Sequence, residues 1–361
     1  MSIEGFEGPG RGSLGTNYEI GRRVDFTSVL HRLERWRLQA VARELLPEDR
    51  VSTCLRRLAP RSDAVHIWLA HDKAHYSGLM VCGCLWHCPV CASKISERRG
   101  LELRQAMMQW SGEVLFLTLT VPHYFHQSLS EVLQKFTQSR HFLRDRKPWK
   151  RLARDFGLDG SIRDLEVTHG VNGWHVHSHE LLFVRPGRSK SLSFWEFEIL
   201  RNWRLACCDA GLGAPNRHGV RLGNGAQADR YASKWGLEQE MTKSHIKRGR
   251  EGGDTPWDLL RRCASGDDSA RSLFQDYARC FSGRHQLEWS KGLRDRLSMG
   301  REDTDLELAS KVEEEALLLG SLSKQEWKFV VAAEKRGELL EVAATAGWSG
   351  VLSFIGSLCG R

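Results

Sequence analysis

The sequence predicts an α+β protein whose core is an antiparallel sheet flanked by helices. Three observations carry that expectation. The stretch EVLFLTLTVPH, 113–123, alternates apolar and polar positions cleanly. A longer stretch, RDLEVTHGVNGWHVHSHELLFV, reads as two strands joined by a turn at 170–173. Runs with helical spacing precede and follow both of them.

The elements follow in order. The first twenty or so residues are Gly-rich and polar and read as a flexible lead. In FTSVLHRLERWRLQAVARELLPE, Leu30, Leu33, Val41 and Leu45 fall near helical spacing, and Pro47 closes the run. A cysteine-rich block extends from Cys54 to Cys91. In the strand that follows, Leu115, Leu117, Leu119 and Val121 share one face, and Phe116, Thr118 and Thr120 the other, until Pro122 ends it. HFLRDRKPWKRLARDF is a basic amphipathic stretch. After the hairpin, residues 192–211 and 226–241 read as helices. The last hundred or so residues read as mostly helical, with charge of both signs. The division expected from these blocks is 1–50, flexible start and amphipathic helix; 51–110, cysteine module; 111–240, sheet domain; and 241–361, helical C-terminal region.

Composition bounds the function. The chain has 361 residues, 41% apolar and 27% charged, as expected of a globular protein with one large core or two to three domains. Lys and Arg number 53 against 45 acids, a net charge of +8, with a sequence pI near 9.0. That balance favours a polyanionic partner, nucleic acid being the commonest. The start lacks the apolar segment of a secretory signal, and no run is read as reaching the ~18 apolar residues of a membrane span. The expectation is a cytoplasmic protein with no membrane partner. Ten cysteines in a reducing compartment are then thiols or metal ligands.

The hairpin carries the first constellation. His175, His177 and His179 alternate, so all three imidazoles line one face of the strand. With the turn centred on Val171 and Asn172, Thr168 lies opposite His175 and Glu166 opposite His177, with Cβ atoms ~5 Å apart. Two imidazoles and a carboxylate converging from adjacent strands make a divalent-metal site with open positions. A solvent-facing row of histidines is the competing reading, and an opposed glutamate weighs against it.

The second constellation is CGCLWHCPVC, 82–91. Cys88 and Cys91 have the C-x-x-C spacing that grips Zn²⁺ with two thiolates. Cys82 or Cys84 supplies a third ligand and Cys54 a fourth, with His87 as a rival. A redox role needs a thioredoxin-like setting that this sequence lacks. The third constellation is Tyr231 and Lys234 in DRYASKWG, neighbours one helical turn apart. A nearby ammonium favours a phenolate. Taken alone, a packing tyrosine beside a surface lysine is the commoner explanation.

These pieces stand in an order that resembles the rolling-circle plasmid replication initiators, the single-tyrosine Rep branch of the HUH endonucleases. FLTLTVPH resembles the family's first motif, and LEVTHGVNGWHVHSHELLF the second, where a His-x-His pair binds metal. YASKW resembles the third, a Tyr-x-x-Lys that carries the nucleophile. The cysteine block, and downstream TPWDLLRRCASGDDSARSLFQDYARCFSGRHQLEWSKGLR, resemble the family's flanking modules. The resemblance runs from about Cys54 to Arg294.

What the resemblance implies can be set out residue by residue. The fold would be a ferredoxin- or RRM-like antiparallel sheet backed by helices, with a zinc module and helical flanks. His177 and His179 would hold Mg²⁺ or Mn²⁺, with Glu166 or His175 completing the set. Tyr231 would attack the scissile phosphate, helped by Lys234, leaving a 5′-phosphotyrosine and a 3′-OH primer, and later rejoin strands. The DNA would be single-stranded or an extruded origin hairpin, with Arg144, Lys147, Trp149, Lys150 and Arg151 as candidates for its groove. Host helicase and polymerase would be partners. Two departures are plain. Cys84 stands where the family usually has Ser, which favours Cys82, Cys88 and Cys91 as ligands. Gln227 stands where some relatives have a Glu that activates the terminating water. A relaxase or transposase of the same chemistry, a zinc hydrolase, and a non-enzymatic zinc-dependent DNA-binding regulator remain as alternatives.

Overall fold

The computed structural model describes residues 26–187, 191–224, 253–313 and 315–360. The helix expected at the start is α1 (Phe26–Leu45), and it buries Leu38, Ala42 and Leu45, whereas Leu30 stays exposed. Strands β1 (Ala64–Ala70) and β2 (Lys73–Ser77) follow, then α2 (Pro89–Gln109), β3 (Glu113–Thr120), α3 (Leu129–Asp145) and α4 (Lys147–Phe156). The hairpin is β4 (Leu158–Gly170) and β5 (Gly173–Val184). After it come α5 (Leu192–Asp209), β6 (Val220–Asn224), β7 (Gly253–Asp254), α6 (Pro256–Ala264), α7 (Ser269–Phe281) and β8 (Leu287–Trp289). Two short helices, Leu293–Arg296 and Asp305–Ser310, are α8 and α9, followed by β9 (Leu317–Ser323), α10 (Lys324–Ala332) and α11 (Arg336–Leu358).

The main sheet has the order β6-β3-β5-β4-β7, with β8 also on β4, and its pairings are antiparallel. Its register is the one the hairpin pattern predicts, Glu166 opposite His177 and Thr168 opposite His175. Gly173 has φ +84°, a backbone region that suits glycine and lets the turn close in so few residues. One face of the sheet buries Leu115, Leu117, Leu119, Val176 and Leu182 beneath apolar residues of α3 and α5, among them Phe136, Trp195 and Trp203. On the other face, Leu103 and Ala106 of α2 pack with Ile162, Leu181, Phe183 and Leu293. That cluster covers one end of the face; the histidine row occupies the other.

A second sheet, β2-β1-β9, joins the two ends of the chain. Residues 317–323, expected to lie in a mostly helical region, pair with β1 across more than two hundred intervening residues. Gly320 is required there, because a Cβ would lie 2.4 Å from the Trp348 ring of α11. The expectation of no membrane-length apolar run needs correction. By length and composition α11 qualifies, with a mean hydropathy of 1.4 in its apolar window. It is interrupted by non-helical backbone at Gly347, and Leu339, Ala343, Val351 and Ile355 are buried in the protein's own core.

Candidate metal centres

The first centre grows from the hairpin. Glu166, His177 and His179 present one ligand atom each, all within 4.8 Å of one another. His177 Nε2 lies 3.1 Å and His179 Nε2 3.6 Å from Glu166 Oε2. The three side chains are recessed, with only 10–13% exposure. Behind them, His179 stacks on Phe116 at 5.1 Å, and its Nδ1 lies 3.0 Å from Thr118 Oγ1 of β3. In the tautomer that frees Nε2 to ligate, Nδ1–H donates to that hydroxyl, the usual way a ligating imidazole is oriented. Nδ1 of His177 is buried with no hydrogen-bond partner among the described residues. Two imidazoles and one carboxylate fit a divalent cation with open positions, and the nitrogens favour Mn²⁺ over Mg²⁺.

His175 stands apart from this set. It stacks between His123 at 4.7 Å and His177 at 5.0 Å. Burial, with His177 and His123 alongside, pushes its pKa down to about 3, so it is a neutral stacking ring at ordinary pH. Thr118 and His123 were not among the expected site residues. The strand alternation had put Thr118 on the correct face, but only the β3–β5 pairing places it against His179.

The second centre is the four-thiol cluster of Cys54, Cys82, Cys88 and Cys91. Pro89 starts α2, so the C-x-x-C pair straddles that helix's N-terminus, where partial positive charge favours thiolates. Cys54 follows a 3₁₀ turn over Arg50–Thr53 that Asp49 caps. Sulfur separations are 3.6 Å for Cys54–Cys91, 3.5 Å for Cys82–Cys91 and 3.9 Å for Cys54–Cys88. A tetrahedral ion with Zn–S bonds of about 2.3 Å requires edges of about 3.8 Å. The backbone N–H groups of Cys82 and Cys84 point at Cys54 Sγ and Cys82 Sγ, and Gln39 Nε2 donates to Cys88 Sγ, as expected around thiolates. Burial pushes the Cys88 thiol up, but bonds from Cys54, Cys82 and Cys91 outweigh it and hold Cys88 well below the ordinary range.

The rivals Cys84 and His87 are not in that cluster. With Asp49 they form a separate group of three. His87 Nε2 lies 2.9 Å from Asp49 Oδ1. Burial lowers the His87 pKa, but the bonds to Asp49 and Cys84 outweigh it and raise it to about 10.

The residues expected for the DNA groove differ in their surroundings. Arg144 pairs with Glu180, a residue with no exposed side chain, and its guanidinium lies 4.3 Å from the ring centroid of Trp149, which is buried. Arg144 nevertheless keeps 27% exposure. Lys147, Lys150 and Arg151 are exposed. Arg144, Trp149 and Lys150 line a cleft of about 470 Å³ with Arg154, Gly157 and Arg185. That cleft is at the end of the hairpin remote from its turn, its Arg185 about 26 Å along the chain from His177 at ~3.3 Å per residue. Tyr231, Lys234 and Gln227, with the helix expected over 226–241, lie outside the described residues.

A family model described as "Replication protein" matches residues 79–196, which include the C-x-x-C pair, Glu166, His177 and His179. The chain is 26% identical over 319 residues to "Protein rep" of Streptomyces lividans, covering 68% of this chain and 70% of that one. It is 30% identical over 153 residues to a "Neomycin resistance protein" of Streptomyces cyanogenus, covering 35% of each. No solved structure matches the chain.

Proposed function

We propose that this chain is a plasmid replication initiator, on its match to the replication-protein family model and its likeness to "Protein rep", and that it starts replication by nicking one strand of origin DNA through tyrosine attack. The observation that carries the nicking step is the convergence of Glu166, His177 and His179 on one recessed sheet face. A divalent cation held there would polarise the scissile phosphate and orient it. Tyr231 attacks the phosphorus, the bond to the 3′ oxygen breaks, and a 5′-phosphotyrosine and a free 3′-OH result. The phosphoester keeps the energy of the broken bond, so the strand is rejoined by the reverse attack. Lys234 favours the phenolate.

The same reading gives the four-thiol cluster Zn²⁺ in a structural role, since four protein ligands leave no open position. The DNA is single-stranded or an extruded hairpin, because in-line attack needs an accessible backbone. Lys147, Lys150 and Arg151 contribute phosphate contacts away from the metal centre. The host helicase and polymerase act after the nick, in the cytoplasm. Incubation with origin-type single-stranded DNA and Mn²⁺ tests the reading. It expects a protein–DNA adduct that survives SDS; cleavage without an adduct points to metal-activated water instead.

A further inference from the structure

We propose that the loop joining β3 to α3 is a stacking platform for unpaired DNA bases, formed by Tyr124, Phe125 and His126. The bases belong to the strand whose phosphate lies at the Glu166, His177 and His179 centre, so the inference rests on the reading of that centre given above. The loop, VPHYFHQ at 121–127, sets three ring side chains in a row. All three are exposed, Tyr124 to 54% and Phe125 to 76%. Val171, on the adjoining hairpin turn, is 86% exposed. Scattered exposed apolar side chains need no explanation, but a contiguous group marks a surface that a ligand covers.

The loop that carries these rings is tied down. Pro122 fixes its own φ at the start. The Tyr124 N–H donates to Gln127 Oε1 at 2.9 Å, and the Gln127 N–H to the Tyr124 carbonyl at 3.0 Å. Ser128 then caps α3. The loop backbone also packs on the hairpin turn, where a Cβ at Gly173 would lie 3.0 Å from Phe125 Cα and 3.1 Å from the Tyr124 carbonyl oxygen. The rings therefore project from a fixed backbone, and a base stacked on them orders little else. Tyr124 and His126 already lie nearly parallel, 11° apart with centroids at 5.9 Å.

Two features identify the occupant. The first is continuity with the metal centre. His123 stacks on His175 at 4.7 Å, and His175 on the ligand His177 at 5.0 Å. An unbroken row of rings thus runs from the ligand to the start of the loop, and bases next to a metal-bound phosphate reach it. The second is charge. No residue of 121–127 or of the turn at 170–174 is acidic, nor is any in the segment leading into β6, 211–221. That segment exposes Arg217 and Arg221. Arg221 shares the histidine face, because it pairs with Thr118 and Thr118 pairs with His179. Flat rings beside exposed cations, with no carboxylate among them, suit single-stranded nucleic acid, since every base has a π face and every link a phosphate.

The test compares binding of the full-length, zinc-replete protein to an oligothymidine strand and to an abasic strand of equal length, without Mg²⁺ or Mn²⁺. Phe125→Ala and Tyr124→Ala should each weaken oligothymidine binding about 5- to 100-fold, the loss of one stacked base. Neither should change binding to the abasic strand. Phe125→Trp and Tyr124→Phe keep a ring and should bind as wild type does. Equal losses on both strands would assign these residues to phosphate contacts or to the fold and would overturn the proposal, as would unchanged oligothymidine binding in both Ala variants. A wild-type dimer that either Ala variant converts to monomer in sedimentation would overturn it too, because the patch would then join two copies of the chain. No cleavage enters this measurement. A base-dependent loss in a protein that forms no adduct with origin-type DNA would sink the nicking reading and leave the platform standing.

Discussion

Thr118 Oγ1 on β3 lies 3.0 Å from His179 Nδ1 on β5, so the hydroxyl of one strand fixes the ring of the next. Thr118→Val keeps the shape and removes the acceptor. The ring is then free to rotate, and metal affinity should fall about 10–100-fold with the fold unchanged. Titration of nicking against Mn²⁺ reads this directly. An unshifted Mn²⁺ midpoint contradicts the role given to Thr118.

Replacing His177 and His179 together by Ala removes two of the three donors at the first centre. Nicking should disappear while the native circular dichroism spectrum persists. The lost stacking on Phe116 costs only about 1 kcal/mol. A double variant that nicks at the wild-type rate in Mn²⁺ places the metal elsewhere.

Cys88→Ser breaks the four-thiol cluster at its most buried member, 0% exposed. The bound zinc should be lost, and amide exchange should rise first in residues 51–109, before the main sheet. Freshly purified, reduced wild-type protein without zinc would contradict this account of the cluster.

Glu180 gives a pH prediction. Burial pushes its carboxyl up, but Arg144, with Arg140 and Arg163, outweighs burial and holds the pKa below the ordinary range. A carboxylate with a lowered folded-state pKa contributes stability that is fully present above its unfolded value, ~4.3. That contribution is lost as pH falls through the folded value. Glu180→Gln leaves guanidinium groups without their counter-charge. Because Arg140 and Arg144 keep 16% and 27% exposure, the cost should be about 2–3 kcal/mol near pH 7. Thermal melts of wild type and variant should converge as the pH drops below ~4; a gap that stays constant with pH contradicts the pairing.

The hairpin was legible in the sequence because two glycines bound a short turn, and turn length fixes register. Glu166 against His177 followed from that alone. The pairing of residues 317–323 with β1 was not legible, since LLLGSLS carries no local mark of a partner so distant in sequence. The partner of Arg144 was not legible, because an amphipathic pattern shows where charge falls, not what it pairs with. The missed signal was Glu180 inside the apolar run ELLFV, a carboxylate that demands a buried cation. Cys54 was placed with the cluster, but Cys84 and His87 were separable from it only once Asp49 was seen beside them.

The central claim is tyrosine attack on DNA by Tyr231. Tyr231→Phe removes only a hydroxyl, so adduct formation should vanish while DNA binding, carried mainly by phosphate contacts, persists. Mass spectrometry of a nuclease-trimmed wild-type adduct decides it most directly. The account predicts a nucleotide mass on the peptide containing Tyr231; the same mass on a peptide containing Tyr18, Tyr76, Tyr124 or Tyr277 would contradict it.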